Sequence, residues 1–158
     1  MLKVGEDPVF IARRLVILAS EDVGNADPKA LEIAVSGLHA VELVGMPEAG
    51  ITLAQVVTYL ASAPKSNRSY LAYKKALALV EETDSLEIPL HLRSAQTKLT
   101  RDLGYGKNYL YSHDYERGFS GQKHMPESLQ NQKLYEPSDH GFEKKIKEYL
   151  SWLRGLSS

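Results

Sequence analysis

The chain has 158 residues, 43% of them hydrophobic and 25% charged, which fits one soluble domain of ordinary size with a real core. A formal net charge of −1 excludes a polyanion binder by overall composition, and the lack of cysteine excludes a disulfide framework or a thiolate metal site and fits a reducing cytoplasm. No apolar run approaches the ~20 residues that span a bilayer, and Met1-Leu2-Lys3 leads into Gly5-Glu6-Asp7 rather than a signal-peptide core, so the cytoplasm is the expected location and no membrane partner is expected.

Asp7-Pro8 is a helix start: Asp7 can cap, and Pro8 in first position loses no needed N–H. Phe10, Ile11, Leu15 and Leu18 share one face of the helix that follows. The pattern breaks at Gly24-Asn25, and Asp27-Pro28 repeats the start signal. The second helix runs to about Val44, with Leu31, Ala34, Leu38 and Val41 on one stripe and Gly45 placed to end it in a left-handed conformation. A third helix, about Thr52 to Ser62, is apolar almost all round, a pattern expected at the centre of a domain. Pro64 must stop it, and Ser66 or Asn67 can accept the free N–H groups of a fourth helix, about Asn67 to Glu82. Tyr70, Tyr73, Leu77 and Val80 form one face of that helix, read as the inner side of a core helix pair, while its acidic end at Glu81-Glu82-Thr83-Asp84 opposes the helix dipole and should fray.

Leu86 to Leu92 reads as an extended linker containing Pro89, followed by a short helix from about Ala95 to Leu103 closed by Gly104. From Tyr105 to Pro137 helical periodicity is absent. This stretch, rich in tyrosine, glycine and proline, is expected to form an irregular arm pinned by its aromatics, with a short hairpin at Asn108–Ser112. The last helix, about His140 to Leu153, sets Phe142, Ile146, Tyr149, Leu150 and Leu153 on one face, with Ser138 or Asp139 as its cap and a disordered tail after it. The fold class is therefore all-α or nearly so: one helical domain over residues 1–158 with five to six helices and an irregular arm at about 105–137.

No catalytic constellation emerges. Gly104-Tyr105-Gly106-Lys107 lacks the earlier glycine and following Ser or Thr of a phosphate loop, since Arg101 and Asn108 stand there. Gly118-Phe119-Ser120-Gly121 brings its second glycine one residue too early for a nucleophile elbow. His39, His91, His113, His124 and His140 include no i, i+4 pair, so no metal ligand set is assigned. Charge supplies the one functional hint. Residues 1–63 carry four basic and eight acidic residues (net −4), whereas residues 64–111 carry eight and five (net +3). Lys65, Arg68, Lys74, Lys75, Arg93, Lys98 and Arg101, interleaved with Tyr70 and Tyr73, are the candidate patch for DNA or an acidic partner peptide. The same pattern also describes solvated helix faces around core tyrosines.

Ala63-Pro64-Lys65-Ser66-Asn67 with Tyr70 and Tyr73-Lys74 resembles the C-terminal region of the replication-associated recombination protein A family, bacterial relatives of the Werner-helicase-interacting ATPase and cousins of clamp loaders. Further matches are Gly5-Glu6-Asp7-Pro8, Ala19-Ser20-Glu21-Asp22-Val23-Gly24, Ala26-Asp27-Pro28, Pro89-Leu90-His91-Leu92-Arg93, Leu103-Gly104-Tyr105-Gly106, Tyr135-Glu136-Pro137 and Glu143-Lys144-Lys145-Ile146. Ser94, Gln96 and His140 depart from residues common in that family. The resemblance implies a non-catalytic, clamp-loader-collar-like domain that holds copies together as a homotetramer in a AAA+ ATPase acting in DNA replication, recombination and repair at stalled forks. It implies an N-terminal ATPase module outside this chain, with ATP and magnesium bound there and no cofactor here. It also implies DNA and replication proteins as further partners, and a nucleoid-associated location. A nucleic-acid or acidic-peptide binding module using the basic bend at 64–101 is the alternative.

Overall fold

The computed structural model describes residues 2–83 and 86–156, and the chain in it is helical, with no strand among the described residues. It divides into two compact units, Met1–Lys75 with Leu134–Tyr149, and Ala76–Lys133 with Leu150–Ser158.

The first unit is built on three helices. In α1 (Pro8–Leu18) the Asp7 carboxylate accepts from the Val9 and Phe10 amides, and Pro8 sits in the first turn. The chain then widens into a π-helical turn at Ala19–Val23 and tightens into a 3-10 turn at Gly24–Ala26. In α2 (Lys29–Val44) Asp27 accepts from the Lys29 amide, and Gly45, at φ 67°, closes the helix. α3 (Ala49–Ser62) begins a turn earlier than the apolar run predicts. These helices pack on one another through small residues. Ala19, Val23, Ala30, Ala34, Val56 and Leu60 form one buried cluster; Ala12, Val41, Ala49 and Leu53 form a second. Gly37 is what lets α2 approach α3, because a Cβ there would overlap Val56 Cγ2.

α3 does not have protein on all sides. Ala49, Leu53, Val56 and Leu60 are buried, while Ile51 is 74% exposed and Ala54, Val57 and Ala61 also face out. The reason is geometric: two neighbouring helices, α1 and α2, cover only part of a helix circumference. α4 (Arg68–Glu81) departs further from expectation. It has no buried residue, and the face read as a core contact carries Tyr73 and Val80 at 62% and 60% exposure, with Leu77 also exposed. The expected fraying of its acidic end involves Asp84, which lies outside the described residues.

The second unit holds little core. Leu129 is its one buried hydrophobic residue among those described. Its turns are held by polar and ring contacts instead. Arg93 donates from Nε to the Ile88 carbonyl at 2.6 Å, pairs with Glu87 at 2.9 Å, and lies over the Tyr105 ring. The Gln122 amide bridges the Leu110 N–H and the Asn108 carbonyl. α5 is shorter than expected, Lys98–Asp102, because Thr97 and Thr100 cap each other reciprocally and fix the start at Lys98. The linker before it is partly a 3-10 turn, Leu90–Leu92.

Residues 105–133 form turns and 3-10 helices at Ser112–Asp114, Glu116–Gly118 and Glu127–Leu129, and the expected hairpin at 108–112 is absent. Tyr109, Tyr111 and Tyr115 are exposed, so these rings do not pin the stretch. α6 (Glu143–Leu156) starts three residues later than predicted, since Gly141 adopts φ 52° and Ser138 caps only a local turn through the His140 amide. It runs through Gly155 and Leu156, where a tail was expected; Ser157 and Ser158 lie outside the described residues.

Candidate functional site

The bend between α3 and α4 is where distant parts of the first unit meet. Ala63 turns extended at ψ 148°, as a residue before proline does. The Lys65 ammonium then folds back onto the end of α3, donating to the Leu60 carbonyl at 2.7 Å and to those of Ala61 and Ala63. A cation there satisfies orphan carbonyls and complements the helix dipole. Ser66 is buried. Its amide donates to the Asp22 carbonyl at 2.8 Å, its hydroxyl accepts from the Arg68 amide as the new helix begins, and the same hydroxyl donates to Glu143 Oε2 at 2.6 Å.

Glu143 is fully buried. Neutral donors hold it: the Ser66 hydroxyl, the Ser138 amide at 2.8 Å, and the Tyr135 hydroxyl at 2.8 Å on Oε1. Asn25 Nδ2 completes the group, donating to Tyr135 at 3.3 Å and to Ser69 at 3.2 Å. Burial works to raise the Glu143 carboxyl, but the bonds from Ser138, Ser66 and Tyr135 outweigh it and hold the group below its ordinary value, so it is ionised. Burial first, and the adjacent Glu143, push the Tyr135 phenol up against the opposing Asn25 bond, which keeps it protonated and donating.

Two glycines make the close approach possible. A Cβ on Gly24 would lie 2.6 Å from the Ser66 carbonyl oxygen, and one on Gly141 would overlap the Ala26 carbonyl and sit 2.7 Å from Pro64 Cγ. The Phe142 amide donates to that Ala26 carbonyl at 2.7 Å, and His140 Nδ1 lies 3.0 Å from the Lys65 carbonyl oxygen. Residues 22–27, 63–69 and 135–143 are thus tied together around one carboxylate. Three donors meet that carboxylate, two on Oε2 and one on Oε1. The arrangement can lock a joint. Among the described residues no group of three or more His, Asp or Glu side chains is placed to hold a metal.

The seven basic residues of the predicted patch divide between the units. Lys65, Arg68, Lys74 and Lys75 belong to the first, and Arg93, Lys98 and Arg101 to the second. Lys65 and Arg93 are committed to local carbonyls, and Lys74 lies over the Tyr70 ring at 5.2 Å. Arg68, Lys75, Lys98 and Arg101 are exposed. Sequence reasoning missed the carboxylate itself. Ser66, Tyr135 and Glu143 all lie in family-like runs, but Glu143 precedes Lys144-Lys145 and reads as an ordinary surface charge. No spacing signal links it to Ser66.

A helical fold with no strand among the described residues, tied in its first unit around a buried carboxylate, defines a helical domain. The chain matches the MgsA AAA+ ATPase C-terminal family over residues 1–154, and it belongs to that family. It is 47% identical over 158 residues to "Replication-associated recombination protein A" of Coxiella burnetii, covering 99% of this chain and 36% of that protein. It is 42% identical over 154 residues to the protein of the same name in Escherichia coli K12, covering 97% and 34%. It is 40% identical over 137 residues to "ATPase WRNIP1" of Dictyostelium discoideum, covering 86% and 16%. The chain spans about a third of the length of the two bacterial relatives. No helix among the described residues is long and apolar enough to cross a membrane.

Proposed function

We propose that this chain is the self-association domain of a AAA+ protein of replication-associated recombination, holding four copies together and performing no catalysis itself. The observation that carries the reading is the uncovered apolar side of α3. Ile51, Ala54, Val57 and Ala61 face outward on a helix whose opposite side builds the core. Apolar surface of this kind is stabilised when another chain covers it, because its removal from water is favourable roughly in proportion to area. The names of the relatives, replication-associated recombination protein A and ATPase WRNIP1, supply the context; within it our reading adds work at stalled forks, a separate ATPase module that handles ATP and magnesium, and DNA and replication proteins as further partners. Self-association is preferred to binding of DNA or an acidic peptide by the basic bend, because Lys65 and Arg93 are already engaged with local carbonyls.

Light scattering at micromolar concentration tests this directly. The expected mass is that of four chains, and a strict monomer would overturn the reading. Calorimetric titration with Mg-ATP is expected to be flat; saturable micromolar binding would contradict the non-catalytic assignment.

A further inference from the structure

We propose that the seam between α2 and α3 is a docking groove for a basic segment of a partner protein, in which one arginine side chain lies along the floor and sets its guanidinium against Glu32. The groove belongs wholly to the first unit and has a volume of about 390 Å³. That falls within the roughly 300–1,000 Å³ of ligand-sized pockets, with room for a long side chain and its neighbour but not for an entire helix about 10 Å across.

Helical spacing builds the groove. Ile33, Gly37 and Ala40 follow one another along α2 at helical intervals and form one row, and Glu32 and Ser36 form the row beside it. Across the seam, α3 contributes Gln55 and Val56. A Cβ on Gly37 would overlap Val56 Cγ2, so it is the missing side chain that lets Val56 seat against the α2 backbone and close the floor. Gly37 and Val56 are buried, Ile33 and Ala40 are half-buried, and Glu32, Ser36 and Gln55 stand exposed at the rim. A hydrocarbon floor under a polar rim is the kind of surface that an arginine covers with its methylene stem while its charged head stays at the edge.

Charge chooses the occupant. Residues 30–64 contain no lysine or arginine and three glutamates, Glu32, Glu42 and Glu48, so a cation arriving here meets attraction without a like charge opposite it. Lys65, which follows this stretch, is committed to the carbonyls at the end of α3. Near Glu32, Tyr59 donates to Asp27 at 2.6 Å; that bond first, then burial and the charges of Asp27 and Glu32, push its phenol up, which marks negative potential at this end of the groove. A guanidinium can meet the Glu32 carboxylate with two parallel bonds and still donate to the Gln55 side-chain carbonyl, a geometry that a lysine ammonium does not reproduce. None of these lining residues belongs to the outward side of α3 that carries the self-association reading, so the two readings fail separately.

The test is fluorescence anisotropy of a fluorescein-labelled peptide of alternating arginine and alanine, titrated with the chain, with far-UV circular dichroism to confirm that each variant is helical. Saturable binding is expected, and added salt should weaken it because the ion pair sits at the rim. Glu32→Lys is expected to weaken binding about tenfold by setting like charges opposite one another. Ser36→Trp and Gln55→Trp, which fill the groove from either wall, should each have a comparable effect. Glu42→Lys makes the same charge change on α2 outside the groove and should weaken binding less than about twofold. A peptide with lysine in place of arginine should bind several-fold more weakly; equal affinity overturns the assignment to arginine. The groove itself is ruled out if the arginine peptide does not saturate, if both tryptophan variants bind it as the parent does, or if Glu42→Lys is as damaging as Glu32→Lys, the mark of a diffuse acidic surface. A loss of assembled mass in light scattering on Ser36→Trp or Gln55→Trp would assign the seam to a second copy of the chain and also overturn the proposal.

Discussion

Replacing Glu143 by Ala is expected to lower the stability of the first unit by roughly 3–5 kcal/mol, by leaving buried donors unpaired and opening a cavity. The substitution strands the Ser66 hydroxyl, the Ser138 amide and the Tyr135 hydroxyl, all of which now donate to the carboxylate. Glu143→Gln is expected to be milder, about 1–2 kcal/mol, since a carbonyl oxygen can still serve Ser66 and Ser138 while the amide faces a Tyr135 hydroxyl able to accept. Urea unfolding followed by circular dichroism measures both. If Glu143→Ala unfolds at the same urea concentration as the parent, the carboxylate is not the joint. The same group fixes a pH dependence. Burial opposes ionisation, but the donors prevail and the folded carboxyl ionises below the ordinary Glu range. Its stabilisation is therefore fully present above that range and is lost as pH falls through the lower, folded value. The Gln variant should lack this acid-side loss.

Gly141→Ala is expected to cost a comparable amount, roughly 3–5 kcal/mol, from a strained backbone and a steric overlap together. Gly141 sits at φ 52°, and the added Cβ would overlap the Ala26 carbonyl and approach Pro64 Cγ at 2.7 Å. Neither neighbour is the free end of a flexible side chain. The segment of residues 138–142 must move, and the Phe142 amide then loses its 2.7 Å bond to Ala26. Gly45→Ala is the control. It has φ 67° but nothing within 4 Å of the added Cβ, so it should cost only the strain of the left-handed conformation, about 1 kcal/mol. Differential scanning calorimetry should place the Gly141 variant about 10 °C below the parent. Equal melting points for the two variants would remove the steric argument. Because Gly141 and Glu143 serve one joint, their combined effect should fall short of the sum.

The sequence by itself determined the helices and their class. Asp7-Pro8 and Asp27-Pro28 start α1 and α2, Gly45 ends α2, and Pro64 breaks α3 from α4, because caps, prolines and left-handed glycines act over a few residues. The ordered family-like runs likewise led to the family to which the chain belongs. Only the tertiary structure decided what each helix face meets. An apolar stripe records that a side is suited to burial, not that this chain supplies the cover. Tyr73, Leu77 and Val80 therefore read as core in α4 and stand exposed, and α3 is apolar all round yet buried on one side. The carboxylate joint was illegible for a related reason. Ser66 and Glu143 are 77 residues apart, and Glu143 carries no local mark that separates it from a surface glutamate. Its burial follows from how Gly24 and Gly141 let three segments close around it, which is long-range packing that short-range spacing does not encode.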